Sequence, residues 1–459
     1  MPKDMNQRES LPVASLRDRL AFVAEVTMPT LAKGPLIRRP RAVALSERLG
    51  LDARAVRRMA ALRETYGDGP LLVRIPGRTH TVILSPAHAR RVLNETPEPF
   101  TPATDEKRTA LGHFEPDVSL VSVGSDRAER RRFNEQVLEN DRPVHSMAPR
   151  FIAVVEDEIG RLVRETGGRL DWDAFIRAWY TVVRRVVLGN GARDDRELTD
   201  LLETMRTRGN FVMLKRQRQD LLERFRGMVG RHLERADDGS LAARIAAVPK
   251  SGDTRPEDQV AHYLFASDPG GMASFRALAL LAAHPQALAR ARDEVRAAGH
   301  GEGRAMLPFL RASVLESLRL WPTTPVILRQ STRETDWNGA TLPAGVNIVI
   351  FAPYFHRDPR LPFADSFAPE LWLQEDDPDR PVRTAADQVE GEGVALVPFS
   401  FGPGRCPASD LVPMLGSAAI GTIVDAATPR LADPERLDGT RPMPGVLDNY
   451  TLGFRLDAI

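Results

Sequence analysis

Cys406 is the only cysteine of the chain and stands in the run Val397-Pro-Phe-Ser-Phe-Gly-Pro-Gly-Arg-Cys406-Pro-Ala. A thiolate is a nucleophile and a metal ligand, and it needs nearby N–H groups or cations to stabilise it. A Gly/Pro-rich loop ahead of a helix supplies such N–H groups. Gly402 and Gly404 let the backbone approach a flat ligand closely, and Phe399 can pack against that ligand. The competing reading is a buried cysteine beside a tight loop. One cysteine excludes an intrachain disulfide and any site of several thiolates, so a reducing, cytoplasmic setting fits best.

Other groups could do chemistry. Glu316 and Arg319 lie at i and i+3 on one helical face, but Glu129/Arg132 and Glu223/Arg226 share that spacing and read as solvated pairs. Asp268-Pro269-Gly270-Gly271 interrupts an apolar helical pattern. There Asp268 reads either as an acid in a proton path, as an anchor for a substrate cation, or as a solvated cap that restarts the helix. Pro269 would remove a backbone donor and kink a continuous helix. The arginine cluster Arg130, Arg131 and Arg132, the single Arg329 and His356 complete the set.

These residues need positioning. Leu71–Ile75 and Thr81–Leu84 read as a hairpin turned at Pro76-Gly77-Arg78, followed by a helix through Leu93 with Ser85 as N-cap and Pro86 at its first position. Helical periods cover Ala128–Val137, Arg150–Val163, Asp173–Val187, Arg196–Arg235, Pro285–Ala298 and Met306–Leu320. One long helix is expected over Pro256–Ala283, and a last one over about Ala408–Ala426. Thr341–Phe351 reads as strand around a Pro343-Ala344-Gly345 turn. Thr96–Val123 is irregular, as binding loops often are, with a satellite helix as the plainer alternative for part of it. The fold class is therefore mainly α with minor β, without the strand–helix alternation of a parallel sheet.

Composition sets outer limits. The 459 residues carry 63 Lys+Arg against 62 Asp+Glu, a net charge of +1, so no global field favours nucleic acid or an anionic membrane. The most apolar early stretch, Leu11–Met28, holds Arg17, Asp18, Arg19 and Glu25, too charged for a membrane span or secretory segment. A soluble protein is expected. No G-x-G-x-x-G nucleotide fingerprint is present.

Phe399-x-x-Gly402-x-x-x-Cys406 resembles the haem-binding loop of the cytochrome P-450 family, and Glu316-x-x-Arg319 before Leu320-Trp-Pro-Thr-Thr-Pro325 resembles that family's E-x-x-R helix. Pro325–Arg329 resembles the segment whose arginine meets a haem propionate, and His356-Arg-Asp-Pro359 with Phe367–Glu370 resembles its meander. The resemblance, over roughly Leu71 to the C-terminus, implies a single cytochrome P-450 fold over 1–459, with 1–60 as an N-terminal extension packed on it. It implies haem b (iron protoporphyrin IX) as cofactor, with Cys406 as axial ligand to the iron; a cysteine thiolate there pushes electron density onto iron and favours O–O cleavage. Arg130, Arg329, His356, Phe399, Gly402 and Arg405 are the implied cofactor-binding residues, and Glu316 and Arg319 a buried structural pair. Asp268, Pro269 and Gly270 fall where the family carries its catalytic acid and alcohol, the latter serving proton delivery. The departures are specific: Gly404 where Arg or His is usual, Ala408 where Gly is frequent, no arginine soon after Pro369, and Pro269 in place of the alcohol, with Ser267 and Ser274 the nearest hydroxyls.

Three functional readings follow from the resemblance. The first is a bacterial-type monooxygenase, using O₂ and electrons from a separate ferredoxin and ferredoxin reductase docked near Arg130–Arg132 and Arg405, with atypical proton delivery. The second keeps the haem-thiolate without ordinary O₂ activation: a peroxygenase, or an enzyme of coupling or dehydration. The third is a non-catalytic homologue that acts as a binding partner, against which the retained Cys406 argues. A monomer is expected, acting on a mid-sized, partly apolar natural-product intermediate. Its pocket is expected between Pro97–Val123, Met205–Met213, Phe265–Ala273, Thr323–Leu328 and Leu447–Leu452.

Overall fold

A computed structural model describes residues 10–75, 77–210, 216–265, 267–374 and 394–458. β1 (Leu71–Ile75) and β2 (Arg78–Val82) form the expected hairpin, paired from Leu71↔Val82 to Ile75↔Arg78, so Arg78 belongs to the strand rather than the turn. Alternate residues of β1 are buried, the period of a half-covered strand. Ser85 then caps α1 (Pro86–Asn94): its hydroxyl accepts from the His88 N–H at 3.2 Å, and Pro86 takes the first position, where a missing N–H costs nothing.

Three further strands, β3 (Phe100–Thr101), β4 (Val326–Ser331) and β5 (Asn347–Phe351), complete a sheet of order β1-β2-β5-β4-β3. Only the β2/β5 pair is parallel. A short helix, Asp105–Leu111, fills part of the stretch expected to be irregular.

The larger apolar cluster is helical. It is built by α2 (Gly124–Leu138), α3 (Ala148–Glu165), α4 (Trp172–Leu188), α5 (Arg196–Gly209), α6 (Pro256–Phe265), α7 (Ser267–Ala283), α8 (Pro308–Leu320) and α9 (Leu411–Ala426). α9 is buried on nearly every side, as its all-round apolar sequence requires. It packs on α3, α7 and α8, which fixes the loop that precedes it. α9 starts at Leu411 instead of Ala408, after a turn through Pro407–Asp410.

One expected helix is divided. The pattern over Arg196–Arg235 yields α5 and a separate helix, Gln219–Arg235, with residues 211–215 outside the described ones. The pattern over Pro256–Ala283 is helical in the described residues on both sides of residue 266, labelled α6 and α7, with 266 itself outside the described ones. Among the described residues no helix is long and apolar enough to cross a membrane.

Candidate functional site

A cavity of about 310 Å³ is bordered by the Cys406 loop, the start of α9, the α6/α7 junction and β4. Its wall includes Phe399, Gly404, Arg405, Cys406, Leu411 and Leu415 from the loop and α9, Phe265, Pro269 and Gly270 from the junction, and Val326, Ile327 and Arg329 from β4. The expected flanks from Pro102–Leu120 and Thr323–Ile327 contribute; Met205 and the Leu447–Leu452 turn do not line it, and Met213 lies outside the described residues.

The loop is shaped by its glycines. The Cys406 N–H donates to Phe399 O at 2.9 Å and the Arg405 N–H to Gly402 O at 2.9 Å. Gly402 has φ +63°, and a Cβ there would sit 2.6 Å from Leu93 O, so only glycine lets the loop rest on the end of α1. At Gly404 a Cβ would stand 2.7 Å from Arg329 Nη2. The position that carries Arg or His in the resembling loop is glycine here, and the Arg329 guanidinium occupies the space beside it. Burial pushes the Cys406 thiol above its ordinary value, opposed only in part by the Ala408 N–H and the Arg131 and Arg405 charges. Coordination to a metal would hold it deprotonated.

One end of the cavity gathers cations. Arg329 donates to Thr96 Oγ1 (3.0 Å), Leu328 O (3.0 Å) and Ser400 Oγ (3.3 Å), all neutral acceptors. Burial pushes its pKa down to about 10, with Arg127 adding repulsion. Lys107 donates to the carbonyls of Pro102 and Leu328, and burial drives its pKa well down. Arg127, one turn before Arg131 on α2, lines the cavity with a buried Nε that has no partner. Buried cations supplied only with neutral acceptors are costly, and two carboxylates placed among them would remove that cost. The residues present fit a haem: Lys107, Arg127 and Arg329 would hold its propionates, Leu120, Ile327 and Leu415 would face the apolar ring, and Cys406 would take the iron, while Arg131 is already paired with Glu135 (2.5 Å).

Several expected residues sit elsewhere. Arg130 is buried and donates to Asp253 O (2.8 Å), Ser122 Oγ (2.7 Å) and Asp117 Oδ1 (3.3 Å), away from the cavity. Along the helix, Arg127 and Arg131 take the facing positions instead, an i, i+4 pair that the sequence displays. His356 does not line the cavity. Its Nε2 accepts from the Val397 N–H (2.9 Å) and its Nδ1 donates to Arg319 O (3.2 Å), so it holds the start of the Cys406 loop onto α8. Arg405 borders the cavity and turns one Nη to Asn140 O (2.9 Å), while Arg131 caps the Arg405 carbonyl (2.5 Å).

Glu316 and Arg319 form a fully buried pair. Arg319 Nη2 lies 2.6 Å from Glu316 Oε1, and its other donors reach the carbonyls of His356, Phe363, Ala364 and Ser366. Glu316 also accepts from the Ala368 N–H and Trp372 Nε1 (3.0 Å). Trp372 thus supplies a partner where the resembling pattern would use an arginine.

On the other side, Asp268 is engaged by Arg206 (2.6 Å to Oδ2) and by the Tyr180 hydroxyl. Arg206 also lies 4.6 Å over the Phe265 ring. Pro269 and Gly270 line the cavity and bring no hydroxyl; the Ser274 hydroxyl donates to Gly270 O at 2.8 Å. A pair not anticipated from sequence does face this region. His262 lines the cavity, with Nδ1 3.0 Å from Glu115 Oε1. Burial alone would lower the His262 pKa, but the Glu115 charge and hydrogen bond raise it.

Residues 266–415 match the family model described as Cytochrome P450. The segment that holds the Glu316/Arg319 pair and the Cys406 loop is a cytochrome P450 segment. Retinoic acid-bound cyanobacterial CYP120A1 has a similar fold (TM-score 0.68, 18% identity, covering 87% of this chain and 94% of that one). Among curated relatives, drimenol monooxygenase of Persicaria hydropiper is 25% identical over 56% of this chain and 54% of its own length. Cyclooctat-9-en-7-ol 5-monooxygenase of Streptomyces melanosporofaciens is 34% identical over 37% of this chain and 38% of its own length. The matches thus span about half or less of these curated relatives. The family match implies haem as the cofactor, in agreement with the cation cluster and the Cys406 loop.

Proposed function

We propose that this chain is a haem-thiolate monooxygenase that oxidises a mid-sized, partly apolar small molecule, with Cys406 as the axial ligand. The observation that carries this reading is one cavity that joins the lone cysteine to a set of buried cations without carboxylate partners. Haem, when bound, supplies the oxidising chemistry, and the thiolate makes its iron electron-rich. The chain's own residues hold the reaction. Lys107, Arg127 and Arg329 would fix the cofactor's carboxylates, Phe399 and Gly402 shape the seat under it, and His356, Glu316 and Arg319 lock that seat to α8. Phe265, Ile327 and Val326 exclude water from the substrate space.

Proton delivery is the unusual part. Asp268, tied to Arg206 and Tyr180, serves to hold α7 against α5 and α4. His262, paired with Glu115, stands on the cavity wall and can move a proton or hold a substrate oxygen. The same observation supports a second reading, in which the enzyme uses peroxide or performs a coupling or dehydration. Two measurements on purified protein separate these. Reductant-driven product with little peroxide leak supports the monooxygenase; product formed only with added peroxide, or with no net oxygen transfer, replaces it with the second reading. A non-catalytic homologue is left if no haem is retained.

Electrons would come from a ferredoxin and its reductase. Arg130 is buried and Arg132 is paired with Glu129, so Arg405 and its surroundings form the smaller docking face. We further propose a monomer with one catalytic unit over 1–459, in the cytoplasm.

A further inference from the structure

A second, smaller cavity of about 40 Å³ lies where the N-terminal segment crosses α7, the Leu320–Pro325 turn and the Gly445–Tyr450 turn. Three cations line it (Lys33, Arg38 and Arg276), against one lining carboxylate, Asp52. Lys33 uses that carboxylate, with Nζ 2.6 Å from Oδ2. Arg38 is left with the carbonyls of Gly34 (3.0 Å) and Thr323 (2.7 Å). Arg276, 8% exposed, has only Trp321 O (3.3 Å) and Asn449 Oδ1 (3.0 Å), and its buried Nε has no partner. Beyond the lining, Asp448 and Glu47 are engaged by Arg436 and by backbone N–H groups.

The segment that delivers Arg38 is held deliberately. Gly34 has φ +92°, and a Cβ there would fall 2.1 Å from Ile37 O, so the tight turn before Arg38 needs glycine. Asn210, next to α5, then accepts from the Leu36 N–H (2.9 Å) and donates to Ile37 O (2.7 Å). Two guanidiniums are thereby brought into one enclosure with neutral acceptors only, an arrangement that a bound anion would relieve. Burial pushes the Arg276 pKa down to about 10, the same cost seen from the other side.

We infer that this enclosure is a carboxylate-binding site, formed by Arg38 and Arg276 and adjoining the substrate cavity at Thr323. The volume holds a carboxylate group or a few waters, and excludes a bulky head. Thr323 borders both cavities, and its carbonyl is the one Arg38 grips. A carboxylate there comes either from the acid end of an apolar substrate or from a free small carboxylate. The first source deepens the proposed function and rests on it.

The test uses purified holoprotein, dodecanoate, dodecanol and acetate, with binding followed by calorimetry and by melting temperature. The tethered source predicts that dodecanoate binds about tenfold or more tighter than dodecanol, and that Arg38→Gln and Arg276→Gln each remove this preference while dodecanol binding stays. The free source predicts no such preference, but acetate raising the melting temperature of the wild type and of neither variant. Arg38 is only partly buried, so Arg38→Gln keeps the test open if Arg276→Gln does not fold. An acid preference that survives in Arg38→Gln, or no response to either carboxylate, overturns the proposal. The reduced carbon monoxide spectrum of the same samples reports separately on the haem reading, since the acetate arm does not depend on it.

Discussion

His356 couples the Cys406 loop to the buried Glu316/Arg319 pair, and acid should release that coupling. Val397 N–H donates to Nε2, which places the ring proton on Nδ1, facing Arg319 O. A second proton on Nε2 would confront a backbone donor. Burial first, and then the Arg319 charge, push the His356 pKa from 6.5 down to about 3. The folded value is depressed, so the unfolded chain takes up the proton first as pH falls. The stabilisation is complete above about pH 6.5 and is lost progressively toward pH 3. Below 6.5 the slope is about 1.4 kcal/mol per pH unit, or about 2 kcal/mol by pH 5. Equilibrium urea unfolding from about pH 8 to pH 5 should be compared for wild type and His356→Gln, which keeps an acceptor and a donor but cannot titrate. The variant starts less stable by about 1–2 kcal/mol, and the gap narrows by about 2 kcal/mol as the pH falls. Parallel curves would refute the reasoning, because they would mean that His356 titrates alike in both states.

Arg319→Leu leaves Glu316 charged and buried and takes the Arg319 donors from the carbonyls of His356, Ala364 and Ser366; a loss of about 3–5 kcal/mol is expected, read as a lower urea midpoint and poor haem retention. Gly402→Ala forces a side chain into left-handed backbone and against Leu93 O, costing about 1–3 kcal/mol, measurable by thermal unfolding. Gly404→Val should expel the Arg329 guanidinium from its place, and haem should then transfer faster to an apo-haem acceptor protein than from wild type. Unchanged transfer would mean that Arg329 does not hold the cofactor.

The proximal half of the site was legible because its chemistry is local in sequence. Lone cysteine, glycines and Phe399 lie within eight residues, and the helix after them is apolar all round. The E-x-x-R pair was legible for the same reason, although Trp372 as its partner was not, since that contact spans 56 residues. The distal half depends on contacts across the fold. Asp268 meets Arg206 and Tyr180 from two other helices, and Glu115 meets His262 across 147 residues, with no pattern along the chain to announce either. The choice of Arg130 among Arg130, Arg131 and Arg132 missed the helical phase: the arginine run draws the eye, but Arg127 and Arg131, an i, i+4 pair, face the cavity.

Cys406 is proposed to bind haem iron as a thiolate. The purified protein, reduced under carbon monoxide, should show the strongly red-shifted Soret band of thiolate ligation, and Cys406→Ser should lose that band. Haem held with an unshifted Soret band in the wild type, or a Cys406→Ser spectrum identical to it, would contradict the account.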